Sequence, residues 1–214
     1  MREKEVLLQE IHHRVKNNLN IIISLLKLQA LHIDEPAILS IFQDCQNRIK
    51  SMALIHERLY QTKDFSRVNY KEYITSLVTD LLAVNFHQQA RPEIVMDLGD
   101  IFLDLDTAIP CGLIVNELVT NALKYAFPDS RTGKITVSLK ETDAGRHLLA
   151  VKDNGIGLPD GFDLHHAKTL GLQLIQILVK QLHGTLEIDP GSERGTEFRI
   201  TFGGTGKRVE KIKS

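Results

Sequence analysis

The chain has 214 residues, 43% of them hydrophobic and 25% charged, a balance that excludes a disordered or membrane-embedded protein. A formal net charge of -1 leaves no overall positive field to draw it to nucleic acid or anionic lipid, so neither is expected as a partner. At this length it accommodates one large domain or a small domain joined to a medium one.

The first third carries helical periodicity. Leu8, Ile11, Val15, Leu19, Ile22 and Leu25 recur at three- and four-residue steps, and Leu26 widens the stripe. The longest apolar run, Leu19 to Leu26, is broken by Asn20 and Ser24 and falls far short of the roughly 20 residues a bilayer span needs. Met1 to Glu5 runs straight into this helix with no signal peptide, so a cytoplasmic chain without a membrane segment is expected. Asp34-Glu35-Pro36 breaks the pattern and starts a second helix carrying Ile38, Ile41, Cys45, Met52, Ile55 and Leu59. Its two wide apolar stripes exceed what one antiparallel partner covers, which predicts a homodimer in which two hairpins form a four-helix bundle. The hairpin ends near Lys63-Asp64.

Beyond it, Tyr70 to Val84 reads as a helix, and Glu93 to Leu98 and Ile101 to Leu105 as strands. Asp106-Thr107 is expected to cap a helix from about Ala108 to Ala126, with Pro110 in its first turn. Ile135, Val137 and Leu139 alternate with polar residues, Leu149 and Val151 continue the β signal, and Phe198, Ile200 and Phe202 alternate again. Leu170 to His183 reads as a helix between them. The two cysteines, Cys45 and Cys111, sit in apolar helical patterns and read as free thiols of a reducing compartment. The expected organisation is α+β: an antiparallel helical hairpin over 1–64, an α/β domain over 65–206, and a solvated basic tail over 207–214.

Four segments of the α/β part carry chemistry. Glu117, Asn121, Lys124 and Tyr125 share one face of a helix whose back is apolar, at about 100° per residue. A carboxylate, an amide, an ammonium and a phenol together suit a Mg²⁺-nucleotide, although a solvated helix face has the same composition. Asp153 ends a strand ahead of Gly155 and Gly157, where a carboxylate can accept from an adenine amino group and glycines let the backbone close over the base. Asp-Asn-Gly is also a common turn. The helix start at Gly171 and Leu172 offers N–H groups and a positive dipole end to phosphate. Arg194-Gly195-Thr196 enters the last strand. In this order the four segments resemble the Bergerat-type ATP-binding fold of histidine kinases, type II topoisomerases, Hsp90-like chaperones and mismatch-repair ATPases, over roughly Asp104 to Phe202. The resemblance implies an α/β sandwich that binds ATP and Mg²⁺. It makes Asn121 the Mg²⁺ ligand and Asp153 the adenine reader. Gly155, Gly157 and Gly171 become the walls, and Asn154 to Leu170 a lid. No GxxxxGK[ST] phosphate loop is present.

The first helix holds Glu10-Ile11-His12-His13-Arg14-Val15-Lys16-Asn17. On a helical wheel His13 falls roughly 160° from the centre of the apolar stripe and His12 roughly 60° from it, so His13 faces outward. The segment resembles the dimerisation and phosphoacceptor region of the histidine kinase subfamily that carries His-Arg-Val-Lys-Asn, in which the histidine before Arg accepts the phosphoryl group. Better-known sensor kinases place an acidic residue after that histidine. Here it is Arg14, so orientation of the imidazole passes to Glu10, one turn back, or Asn17, one turn forward. The resemblance implies an ATP-dependent autokinase that relays phosphoryl from His13 to an aspartate on a response-regulator receiver domain. The other readings are a Bergerat-type ATPase, since Glu117 precedes Asn121 as a water-activating glutamate does there, a protein serine kinase, and a phosphotransfer protein without autokinase activity.

Overall fold

Two long helices open the chain, α1 (Arg2–Ala30) and α2 (Pro36–Gln61). Pro36 occupies the first helical position of α2, where its missing N–H costs nothing, and the first intrahelical bond runs from Leu39 N–H to Glu35 C=O at 3.0 Å. The computed structural model describes residues 2–61, 67–84, 92–128, 133–159, 162, 169–189 and 195–203. The side chains of 2–9, 11–13, 37, 56–61 and 83–84 also lie outside the description. The expected hairpin boundary at Lys63-Asp64 therefore falls outside the described residues.

The packed register of the hairpin differs from the sequence reading. Among the described side chains of α1 the covered apolar positions are Val15, Leu19, Ile23, Leu26 and Ala30, whereas Ile22 and Leu25, expected on the packed stripe, are exposed. In α2 the covered heptad runs through Leu39, Phe42, Gln46, Ile49 and Ala53, flanked by Cys45, Met52 and Ile55, and Ile38 and Ile41 are exposed. Both helices carry more apolar residues than one seam can bury, so periodicity alone does not choose the buried set.

The chain gathers into two compact units, Met1–Asp80 with Phe102–Asn116, and Leu81–Ile101 with Glu117–Ser214. Besides the hairpin, the first unit holds a two-stranded ribbon, β1 (Val68–Asn69) against β3 (Phe102–Leu103), most of α3 (Tyr70–Val84), and the first part of α4 (Leu105–Asn121). Asn69 Oδ1 accepts the Glu72 N–H at 3.3 Å and caps α3, which buries Tyr70, Tyr73, Ile74, Leu77, Val78 and Leu81 at helical spacing. Helix α4 starts three residues earlier than expected. Asp104, not Asp106-Thr107, is the cap, its Oδ1 taking the Thr107 N–H at 2.8 Å. Pro110 then falls in the second turn and removes the donor for the Asp106 carbonyl. Gly112 lets the Tyr73 hydroxyl approach, since any Cβ there would overlap the phenol. Burial lifts the Tyr70 and Tyr73 phenols and the Cys111 thiol well above their usual ranges, so all three stay protonated.

The second unit is built on a five-stranded sheet in the order β2-β4-β5-β7-β6, from β2 (Glu93–Leu98), β4 (Lys134–Glu141), β5 (His147–Asp153), β6 (Thr185–Asp189) and β7 (Thr196–Phe202). β2 runs parallel to β4, and all other neighbours are antiparallel. Period-two alternation puts Ile135, Val137 and Leu139 of β4 and Leu149 and Val151 of β5 in the core with Ile200 and Phe202 of β7. Helix α5 (Leu170–Gln181) adds Leu172, Ile175, Leu178 and Val179. It ends two residues short of the expected His183, which takes a left-handed φ of 50° before Gly184. No helix of the described residues is long and apolar enough to cross a membrane.

Candidate functional site

Leu149, Val151 and Asp153 share one face of strand β5 and are buried, as is the small Ala150 on the other face. The same alternation that fills the core thus sets a carboxylate on its face at the strand's last residue. Asp153 is 9% exposed, and burial pushes its carboxyl above the ordinary 3.8, partly offset by the backbone N–H groups of Gly155 and Thr196. Gly155 N–H donates to Oδ1 at 2.8 Å, and Thr196 lies across the ladder in direct register with Asp153. A carboxylate with two oxygens and about four acceptor sites, held by two N–H groups and short of water, is a strong acceptor for one more N–H donor.

The helix ahead of this strand does not run evenly to Ala126 as the sequence suggests. α4 ends at Asn121 and continues as one π-helical turn, Ala122–Ala126. Wide turns of this kind recur at functional sites. Here the turn delivers the Ala126 carbonyl to the loop after β5, where it accepts the Ile156 N–H at 3.0 Å. Gly155 lies so close to Ala126 that a Cβ would strike the Ala126 carbonyl and methyl. Gly157 takes φ of 82° beside Gly195, and Gly195 takes φ of 130° directly under the Asp153 carbonyl. Helix end, β5 loop and the entry to β7 therefore close on one another around Asp153.

The remaining expected residues are placed as follows. Glu117 is buried at 4% exposure and Asn121 is half-buried at the junction of α4 with the π turn, while Lys124 and Tyr125 are exposed. The four do not form one open face, because Glu117 turns inward and the π turn displaces Lys124 and Tyr125 from regular helical spacing. Gly171 and Leu172 are buried in the first turn of α5, and the Thr169 side chain caps none of that turn's N–H groups. Thr196 is buried at 6% exposure. Residues 160–161 and 163–168 of the expected lid lie outside the described residues.

In the first unit α1 is continuous through position 13, but the side chains of His12 and His13 lie outside the described residues. Positions on the same helical register as 13, namely Glu10, Asn17, Asn20 and Ser24, are all exposed. Glu10 Oε1 accepts Arg14 Nε–H at 2.9 Å, an exposed i,i+4 ion pair. Sequence reasoning missed Ala126 and the caps at Asn69 and Asp104, and took Gly195 only as part of Arg194-Gly195-Thr196 entering the last strand. A carbonyl acceptor leaves no trace in residue type, though the glycine of Arg194-Gly195-Thr196 was a legible signal for close approach.

An oxygen-rich nucleotide with Mg²⁺ fits these groups. Asp153 offers a buried acceptor, and Asn121 a hard amide oxygen reachable from solvent. Among the described residues no three His, Cys, Asp or Glu side chains cluster as a metal cage.

Residues 10–85 match the family described as histidine kinase, and residues 107–205 the family described as histidine kinase-, DNA gyrase B- and HSP90-like ATPase. The sensor histidine kinase PdtaS of Mycobacterium tuberculosis is 35% identical over 213 residues, 95% of this chain and 41% of the relative. PdtaS of Mycolicibacterium smegmatis is 35% identical over 207 residues, 94% of this chain and 40% of the relative. The chain thus spans about two fifths of the length of these curated relatives. Among solved structures, the histidine kinase domain of the Erythrobacter litoralis EL346 blue-light-activated histidine kinase superposes with a TM-score of 0.66 at 22% identity, covering 94% of this chain and 95% of that one. That likeness speaks to the fold.

Proposed function

The chain belongs to the histidine kinases, with a histidine kinase segment ahead of an ATP-binding domain of the gyrase B and HSP90 type, and from that premise we propose that it transfers the γ-phosphoryl group of ATP to His13. The observation that carries the proposal is the buried Asp153 carboxylate, closed in by Gly155, Gly195 and Thr196 and still able to accept a donor from a base. Thr196 and Gly155 aim that carboxylate with their N–H groups, and Gly157 with Gly195 forms the wall beside it. Gly171 and Leu172 lie in the first turn of α5, whose N–H groups and positive dipole end would face phosphate. Asn121 would hold Mg²⁺, with Glu117, Lys124 and Tyr125 on the same helix end. When bound there, the ion neutralises charge on the β- and γ-phosphates.

In the transfer step an unprotonated imidazole nitrogen of His13 attacks in line. The new N–P bond forms as the bond from phosphorus to the bridging oxygen breaks, and ADP leaves with the electron pair. The other imidazole nitrogen then releases its proton to bulk water. Glu10 or Asn17 orients the ring; Glu10 is at rest paired with Arg14. We further propose relay to an aspartate of a response-regulator receiver domain, a functional division at 1–64, 65–206 and 207–214, and a cytoplasmic setting consistent with the free thiols Cys45 and Cys111. Homodimerisation through the hairpin is supported by Ile21, Ile22, Leu25 and Leu28 of α1, Leu31 in the turn after it, and Ile38 and Ile41 of α2, all exposed in the single chain. Incubation with γ-labelled ATP tests the reaction. Acid-labile label on the protein is expected, acid-stable label would favour a serine kinase, and free phosphate alone an ATPase.

A further inference from the structure

Asn154 makes two hydrogen bonds to one residue. Its backbone N–H donates to the Lys134 carbonyl at 3.2 Å, and its side-chain Oδ1 accepts the Lys134 N–H at 2.7 Å. The β4–β5 ladder pairs Ile135 with Asp153, so residues 134 and 154 stand where the next rung would be. In a regular antiparallel rung both bonds are made by main-chain groups. Here the side chain supplies the acceptor, and the Asn154 carbonyl is released from the ladder. The chain can then turn off the sheet at Gly155, toward the Ala126 carbonyl that takes Ile156 N–H. That same turn brings Gly155 N–H back onto the Asp153 carboxylate. Asn154 is exposed, so the arrangement adds no apolar burial to the core. Its consequence is local: it pegs the main chain next to Asp153.

We infer that Asn154 is a positioning residue for base selection, which aims the Asp153 carboxylate by replacing a main-chain carbonyl in the β4–β5 ladder. This rests on Asp153 reading an exocyclic amino group. The ligand contrast it governs is therefore an amino purine against a keto purine, which presents an acceptor to the carboxylate in place of a donor.

Competition binding of Mg²⁺-ADP and Mg²⁺-IDP to the whole chain tests it, with the ratio of the two Kd values as readout and thermal melting alongside. Asn154→Ala should lower the preference for ADP roughly 3- to 10-fold, the effect of one displaced hydrogen bond. Asn154→Asp keeps an acceptor in the same place and should restore the ratio to within about twofold of the parent. Lys134→Pro, at the first residue of a strand where proline is tolerated, removes the donor without touching Asn154 and should reproduce the alanine result. An unchanged ratio in both Asn154→Ala and Lys134→Pro, with only melting affected, overturns the inference and leaves Asn154 a turn residue. An unchanged ratio in Asp153→Asn instead overturns the reading of Asp153 on which the inference stands.

Discussion

Replacing Asp153 by asparagine separates a binding role from a structural one. The carboxylate accepts from Gly155 N–H at 2.8 Å and from Thr196 N–H, and is proposed to accept a third donor from adenine. An amide has one acceptor oxygen and one donor NH₂. If its oxygen serves Gly155 and Thr196, NH₂ faces the adenine amino group; if the amide flips, NH₂ faces the backbone donors. Either way one donor meets another. Loss of a hydrogen bond to a charged acceptor costs about 1.5–3 kcal/mol, or roughly 10- to 150-fold in the Kd for Mg²⁺-ADP.

The free protein should respond in the opposite sense. Burial raises the Asp153 value above 3.8, so the neutral form is favoured in the fold relative to the unfolded chain. Ionisation as pH rises from 3.8 through the raised value therefore costs stability, and that cost is complete above it. Asparagine never ionises. The ligand-free variant should melt at or above the parent temperature at neutral pH while losing affinity. The parent's advantage in ADP affinity over the variant should shrink as pH falls through the raised value. Calorimetric titration with parallel melting measures both. Unchanged affinity, or a large fall in ligand-free melting temperature, would refute the reasoning.

Asn121→Asp adds a charge to the proposed Mg²⁺ ligand and should lower phosphoryl transfer at least roughly tenfold while ADP affinity without metal changes less than about threefold; a single-turnover assay with and without Mg²⁺ checks this. Hydrogen exchange over 154–170 should slow on adding Mg²⁺-ATP analogue, and equal exchange in both states would make the segment a fixed loop. Light scattering should give a dimer mass at tens of micromolar, with Leu25→Glu and Ile41→Glu together shifting it toward monomer; a parent monomer mass would remove the bundle.

The β part of the fold was legible because one buried face enforces period two, and β2 and α3 fall at the residues the pattern predicts. The hairpin was legible as two helices but not in its register. Ile22, Leu25, Ile38 and Ile41 are as apolar as the residues that are buried, and only a packed partner distinguishes them. Asp153 could be located from a strand ending in Asp-Asn-Gly, and its burial follows from the alternation that places Leu149 and Val151. The π turn could not. It depends on the closure of Ala126 onto Ile156 and Gly155, pairings distant in sequence and carried by a main-chain carbonyl. The even helical face drawn through Glu117, Asn121, Lys124 and Tyr125 breaks at that turn, and Glu117, ahead of it in α4, is buried.

The central claim is that His13 receives the γ-phosphoryl group, and labelling of three proteins with γ-labelled ATP tests it most directly. The parent and His12→Ala should both carry label that is lost in acid and kept in alkali, the latter in reduced amount. His13→Ala should carry none while binding Mg²⁺-ADP as the parent does. Label that persists in His13→Ala and disappears in His12→Ala would contradict the account.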